Sequence, residues 1–405
     1  MQGLPLIASG RTPTPLIARC GACGLYKTCR TPKMPVHGKG RRGVMVVGES
    51  PGHAEDDRGV PFVGASGQYL RDALRAVGVD LDRDCWTTNA LICRAPKGTE
   101  VKDAVAHCRP NVLAAIKQYQ PHTILLVGGR AMESVIGHAW KESLGPAERW
   151  VGWNIPDHRL NAWICPTYRP KDILQARHKE QEVMGIWFRR HVAAAFEHGT
   201  TPWKSSPDWQ KKVDVIVSPD DAAVAINQLV TDAWEWEESV AFDYECDRLK
   251  PDHPDARILT VAISNGKQTV SAPWHGPVIE VMRNVLRDRR LAKIAHNAKF
   301  EDRWTRRQLG TPIRNLLWCT MLAAHVLDNR PGITGLKFQG YARLGQPSYD
   351  DGLKPYMSAA GSNTRNELHK LPIRTLLEYG GLDALLTWKL AKIQREELGF
   401  IGGDE

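Results

Sequence analysis

Three short acidic stretches contain residues that could hold metal ions together. Asp243 and Glu245 lie in VAFDYEC, Glu301 and Asp302 in AHNAKFEDRW, and Asp383 in EYGGLDALLTW. Carboxylates brought together repel one another, so a fold gathers them where cations bind between them. Two divalent ions roughly 4 Å apart, one activating water and one stabilising the leaving oxygen, are a common device for cutting a phosphodiester. The pattern points to a nuclease. Asp243 and Glu245 are two apart on a predicted strand and leave the same face. Asn297 and Glu301 are four apart at the start of a helix and share one side of it. Tyr379 and Asp383 repeat that spacing on a later helix, where Asp383 can ligate metal and the Tyr379 hydroxyl can orient the attacking water. Asp302 is turned about 100° from Glu301 and reads as a partner for Arg303 or Arg306. His296 reads as a core or strand-end histidine.

A second constellation lies in the first half. The run GESPGHAEDDRGVPFVGASGQYL (48–70) follows a strand and opens a helix at about Ser66. Gly48, Gly52 and Gly64 permit close backbone approach to a ligand, and Pro51 stiffens the turn. A phosphate loop would satisfy that pattern alone. Glu49, Phe62 and Asn89 add a carboxylate, an aromatic to stack on a flipped base and an amide to read its edge. Cys20 and Cys23 form C-x₂-C, which could start a zinc site or contribute, with Cys93 and Cys108, to an iron–sulfur site.

The elements that must position these residues fall into two halves. Strands are predicted at 44–48, 85–91, 123–128 and 162–166, alternating with helical patterns at about 66–78, 101–119, 129–137 and 171–198. That alternation reads as a parallel α/β sheet with helices on both faces. The segment HGTTPWKSSPDWQKK breaks the pattern, and a new strand-like run begins at VDVIVS. The expected layout is a flexible arm over 1–17, a domain over 18–199, a linker over 200–212 and a domain over 213–405. The second domain is read as strands at 239–245, 258–264 and 267–273, a helix near 278–289, a strand at 292–296 and a largely helical remainder on a mixed sheet.

At 405 residues the chain exceeds one ordinary core. It has no apolar run near the 18 or so residues of a membrane helix, and its start lacks the layout of a signal peptide; a cytoplasmic location is expected. Its nine cysteines therefore argue for a metal cluster or packing rather than disulfides. The net charge of +9 is uneven: residues 1–204 hold 28 Lys and Arg against 18 Asp and Glu, a balance of +10, and the rest stands at −1. A basic half suits a polyanionic partner, DNA above all.

Residues 213–398 resemble the DEDD-type 3′–5′ exonucleases, in the tyrosine variant that proofreads for family A DNA polymerases, through three motifs in order and the segment CTMLAAHVLDNRPGITGLKFQGYARLG. The resemblance implies a ribonuclease H-like fold, two Mg²⁺ or Mn²⁺ ions held by Asp243, Glu245, Glu301 and Asp383, and action on single-stranded 3′ ends. It places Asn297 on the substrate. The second motif departs from the family in having Glu301 where Asp is usual. Such domains usually precede a polymerase, so a separately encoded family A polymerase is the expected partner, as in a phage-like replication system. Residues 18–195 resemble the iron–sulfur uracil-DNA glycosylases, family 4, through the GE-x-PG…ED…G-x-PFVG…G motif. That resemblance implies that Glu49 activates water or stabilises the sugar cation, Phe62 stacks on uracil, Asn89 hydrogen-bonds it, and Gly48 and Gly52 line the pocket. It puts a 4Fe–4S cluster on Cys20, Cys23, Cys93 and Cys108, with Cys29 as the substitute ligand. The family has His after PTY; this chain reads CPTYRPKD, with Arg169 there. A permanently charged, longer side chain can stabilise an oxyanion, fill the pocket or bind phosphate. A DNA-binding module without excision is therefore the alternative for this half.

Overall fold

The run VMVVG at 44–48 is buried at every position, as a strand covered on both faces must be. The structure, a computed structural model, describes residues 20, 22–96, 98, 102–140, 143–235, 239–361 and 363–400. The expected arm over 1–17 lies outside the described residues. The chain divides into two compact units between Lys204 and Ser205.

In the first unit, β1 (Val44–Gly48), β2 (Cys85–Asn89), β3 (Thr123–Val127), β4 (Ile155–Asp157) and β5 (Ala162–Thr167) form one sheet in the order β2-β1-β3-β5-β4. β1 pairs in parallel with β2 and β3, and β3 with β5. The sheet is not wholly parallel, because the short β4 runs antiparallel along the edge of β5. Val44, Val46, Leu125 and Val127 point to one face, where Leu70, Leu74, Phe188 and Val192 cover them. The other face meets the helix Gly129–Trp140, which packs on Lys102–Tyr119. Two helical spans differ from expectation. The stretch 171–198 breaks into Pro170–Gln175 and His178–Ala195, with Ala176 and Arg177 in extended conformation between them. A short helix, His53–Arg58, interrupts the glycine-rich run.

In the second unit the order is β11-β10-β7-β8-β9-β6, comprising β6 (Asp214–Val215), β7 (Val240–Cys246), β8 (Ile258–Ser264), β9 (Thr269–Pro273), β10 (Lys293–Ala295) and β11 (Leu316–Cys319). β7–β8 and β8–β9 are antiparallel, while β10 lies parallel to β7 and β11. β11 breaks the largely helical remainder expected there. The period of two along β7 divides its side chains: Phe242, Tyr244 and Cys246 enter the core with Ile226, Met282 and Trp304. Ala241, Asp243 and Glu245 take the opposite face, across which the helix Ile373–Glu397 lies.

Candidate functional site

Asp243, Glu245 and Asp383 meet where β7 passes under the helix Ile373–Glu397, with a ligand oxygen from each within 4.8 Å of the others. Consecutive glycines allow this approach. A Cβ on Gly380 would sit 3.4 Å from Glu245 Cγ, and one on Gly381 would fall 2.2 Å from Val213 Cγ1. Glu301, one turn into the helix Ala298–Leu309, is 2% exposed, and its Oε2 is buried without a hydrogen-bond partner. Loss of water contact, then the charge of Asp383, raises the Asp243 carboxyl well above its ordinary range; Glu245 is raised by burial and then by Asp243. Glu301 is raised by burial and then by the charges of Asp243 and Glu245, though it stands outside the group that closes within 4.8 Å. Three carboxyls so destabilised as anions, one with an orphaned acceptor, form an oxygen donor set that fits hard divalent cations.

Asp302 is otherwise engaged: its Oδ1 accepts from the Ile313 amide at 2.9 Å and its Oδ2 from Arg306 Nε at 2.5 Å. His296 follows β10 and pairs with Thr320 Oγ1 through Nδ1 at 2.8 Å; burial, then Lys337, pulls it down to about 3, so its ring is neutral. Asn297 opens its helix in the left-handed conformation, at φ 55°. Burial and then Asp383 raise the Tyr379 hydroxyl, keeping it protonated. Two groups that sequence reasoning missed complete the surroundings. Lys337 and Tyr349 both donate to Asp383 Oδ1. Lys337 stands in the quoted segment GLKFQG, but no pattern there announces its direction, and Tyr349 lies in an irregular loop.

The first unit carries a cleft of about 800 Å³. It opens at the carboxyl ends of β1 and β3, which lead away to opposite sides of the sheet, the place where open α/β sheets bind ligands. Gly48 ends β1 and Glu49 follows it, Asn89 ends β2, and Arg169 follows β5. A Cβ on Gly48 would lie 2.5 Å from Asn89 Oδ1 and 2.7 Å from Phe62 Cζ, so glycine lets these side chains converge. Phe62 holds φ at +57°, a strained value for an aromatic residue. Gly67 accommodates its backbone, and Arg71 Nε donates to its carbonyl at 3.1 Å. Glu55, given no role by sequence reasoning, ties the loop together by accepting from the amides of Gly52, Val63 and Gly64 at 2.8–3.0 Å. Glu49 accepts from Arg169 Nη1 at 3.0 Å through Oε2 and from the Arg130 amide at 3.2 Å through Oε1. Arg169 also donates through Nε to Asp172 at 3.0 Å.

Cys20, Cys23, Cys93 and Cys108 line one small cavity with Leu91 and Ile92. The Lys33 amide points at Cys93 Sγ at 3.2 Å and the Ile92 amide at Cys108 Sγ at 3.4 Å. Burial pushes Cys93 up to about 12 and Cys108 up to about 11. Four converging thiols with amide donors aimed at two sulfurs fit an iron–sulfur cluster, which would draw them to thiolates. Cys29 lies against Cys93.

Residues 35–196 match the family model of the uracil DNA glycosylase superfamily, and residues 215–398 match that of a 3′–5′ exonuclease. The type-4 uracil-DNA glycosylase of Pyrobaculum aerophilum is 34% identical over 165 residues, which are 40% of this chain and 82% of that protein. The one from Thermotoga maritima is 30% identical over 165 residues, again 40% and 82%. The catalytic core of RRP6 from Trypanosoma brucei resembles 46% of this chain, over 47% of its own, at a TM-score of 0.36 and 17% identity. RNase D from Escherichia coli resembles 47%, over 46% of its own, at 0.31 and 17%. The chain is thus a DNA-processing hydrolase that joins a glycosylase-type module to a 3′–5′ exonuclease module. Through its first unit it belongs to the type-4 uracil-DNA glycosylase family. No helix among the described residues is long and apolar enough to cross a membrane.

Proposed function

We propose that the second unit is a two-cation exonuclease of the proofreading type acting on single-stranded DNA 3′ ends. The observation that carries this reading is the meeting of Asp243, Glu245 and Asp383 within 4.8 Å; Glu301, buried and unpartnered at Oε2 and raised by the charges of Asp243 and Glu245, supports it. Bound Mg²⁺ or Mn²⁺ would polarise the scissile phosphate and acidify a water. The four carboxylates supply oxygen ligands, Tyr379 offers a protonated hydroxyl to orient the attacking water, and Asn297 meets the terminal nucleotide. Asp243→Ala, Asp383→Ala and Glu301→Ala should each lower degradation of single-stranded 3′ ends in Mg²⁺ by about 10³-fold or more, about 4 kcal/mol of barrier, with unchanged circular dichroism. Asp302→Ala should leave the rate within about threefold, since its partners are structural. The reverse ranking of Glu301 and Asp302 would show the ligand to be misassigned.

The first unit is read as a base-recognition module for DNA, uracil-containing DNA included, with Phe62 stacking on a flipped base, Asn89 reading it, and Gly48 and Gly52 lining the pocket. A 4Fe–4S cluster on Cys20, Cys23, Cys93 and Cys108 would pin the N-terminal segment, and a brown protein with broad visible absorption is the expected sign. One observation favours tethering without excision: both Glu49 oxygens are engaged, by Arg169 and by the Arg130 amide. Uracil release by the full chain carrying Asp383→Ala decides between the readings. DNA binding without release supports the tether. A separate family A polymerase served by this exonuclease in trans is the expected protein partner; absence of co-purification and of any effect on misincorporation would remove it.

A further inference from the structure

Within the acidic centre, Asp383 is the one carboxylate with an ion pair among the described residues. Lys337, second residue of the helix Leu336–Leu344, donates through Nζ to Asp383 Oδ1 and, at 2.8 Å, to the Tyr349 hydroxyl. Tyr349 in turn donates to the same oxygen. The ammonium lies 4.1 Å from the centroid of the Tyr349 ring and 4.2 Å from that of Tyr379, and the two rings are 5.8 Å apart. A cation held between two aromatic faces and a carboxylate is fixed in place rather than loosely paired. Both donors fall on one oxygen of a residue whose oxygens also face Asp243 and Glu245.

We propose that Lys337 is a positioning residue that serves as the resident counter-cation of Asp383, competes with the divalent cation for that carboxylate, and then turns to a phosphate oxygen of the substrate. The inference rests on the two-cation reading of this centre. Charge supports the sequence of partners. Four carboxylates balance two divalent cations, so the added ammonium leaves one positive charge, which a single phosphodiester neutralises. Without cations the same ammonium relieves part of the repulsion among the carboxylates. Tyr349 holds Asp383 in the waiting geometry, donating to its Oδ1 while its own oxygen accepts from Lys337 Nζ.

The test is Mn²⁺ binding to the full chain, by calorimetry and by the paramagnetic resonance of free Mn²⁺, in the wild type and in Lys337→Met, Lys337→Arg and Tyr349→Phe. Lys337→Met should bind Mn²⁺ about tenfold more tightly, because binding no longer has to displace a competing cation. It should also melt lower than wild type without metal and recover the difference on adding Mn²⁺, while its KM for single-stranded DNA rises several-fold. Lys337→Arg should restore wild-type Mn²⁺ affinity, and Tyr349→Phe should tighten it by less than Lys337→Met. Unchanged or weaker Mn²⁺ binding by Lys337→Met overturns the inference. Should that variant not fold, Lys337→Gln is measured in its place against the same expectation. A wild-type chain that binds no Mn²⁺ at all would instead overturn the two-cation reading.

Discussion

Arg169 joins two carboxylates, Glu49 and Asp172, through one guanidinium. Its Nη1 reaches Glu49 and its Nε reaches Asp172, while the Arg130 amide takes the other oxygen of Glu49. A histidine at that place, which the family resemblance implies, would be shorter and able to be neutral. Arg169→His should free Glu49 Oε2 and raise uracil release from single-stranded DNA by about 10²-fold or more, the range in which a positioned acid–base group acts; stopped-time release assays on the chain carrying Asp383→Ala measure it. No gain would mean that more than this contact separates the unit from excision. The substitution was visible in CPTYRPKD, but not its contacts: nothing in a linear pattern says that a side chain after β5 reaches a carboxylate after β1. Lys337 and Tyr349 escaped notice for the same reason, since both act at a centre assembled from distant segments.

At the scale of elements, the position of the long helix over β7 decides whether Tyr379 and Asp383 can reach the strand. Glycine within a helix costs about 1 kcal/mol relative to alanine, so Gly381 in mid-helix is explained by what its missing Cβ would strike, Val213 Cγ1 at 2.2 Å and Ser271 Cβ at 3.3 Å. Gly381→Ala gains that helical preference and meets an overpacking cost of about 1–3 kcal/mol. The clash is with the stiff branch of a valine and should win. Chemical denaturation should show net destabilisation of about 1–2 kcal/mol, with reduced nuclease activity as the helix lifts from β7. The double variant Gly381→Ala, Val213→Ala should recover both; a single variant at least as stable as wild type would mean the helix does not need this close approach. The central strands of the first sheet were legible because continuous apolar runs such as VMVVG and TILLV suit a strand covered on both faces. The antiparallel β4 is three residues long, and β11 has two exposed leucines, Leu316 and Leu317. Neither carries the pattern of a covered strand. The break at Ala176 and Arg177 was hidden because neither residue is a helix breaker.

At the scale of the molecule, the two units differ in what stabilises and charges them. The first holds a balance of +10 and gathers four of its thiols at a cavity beside Leu91 and Ile92; the second stands at −1 and buries carboxylates. Positive charge in the first unit favours strand capture through phosphate contacts, which carries a steep salt dependence. On the proposed reading, the second would meet its own charge with divalent cations. Each unit has its own core, so loss of the proposed 4Fe–4S cluster should be felt in one and not the other. Cys93→Ser removes a thiol that lies in the loop after β2 and touches the Lys33 amide, linking that loop to the N-terminal segment. Calorimetry of the full chain should show two transitions, and Cys93→Ser should lower one of them by several degrees, since a lost metal-site ligand removes folding free energy from the unit that holds it. Mg²⁺-dependent degradation of short single-stranded 3′ ends should persist, while affinity for long strands at low salt should fall. If the substitution abolishes the nuclease along with the visible absorption, the two cores do not stand independently and the exonuclease depends on the cluster of its neighbour.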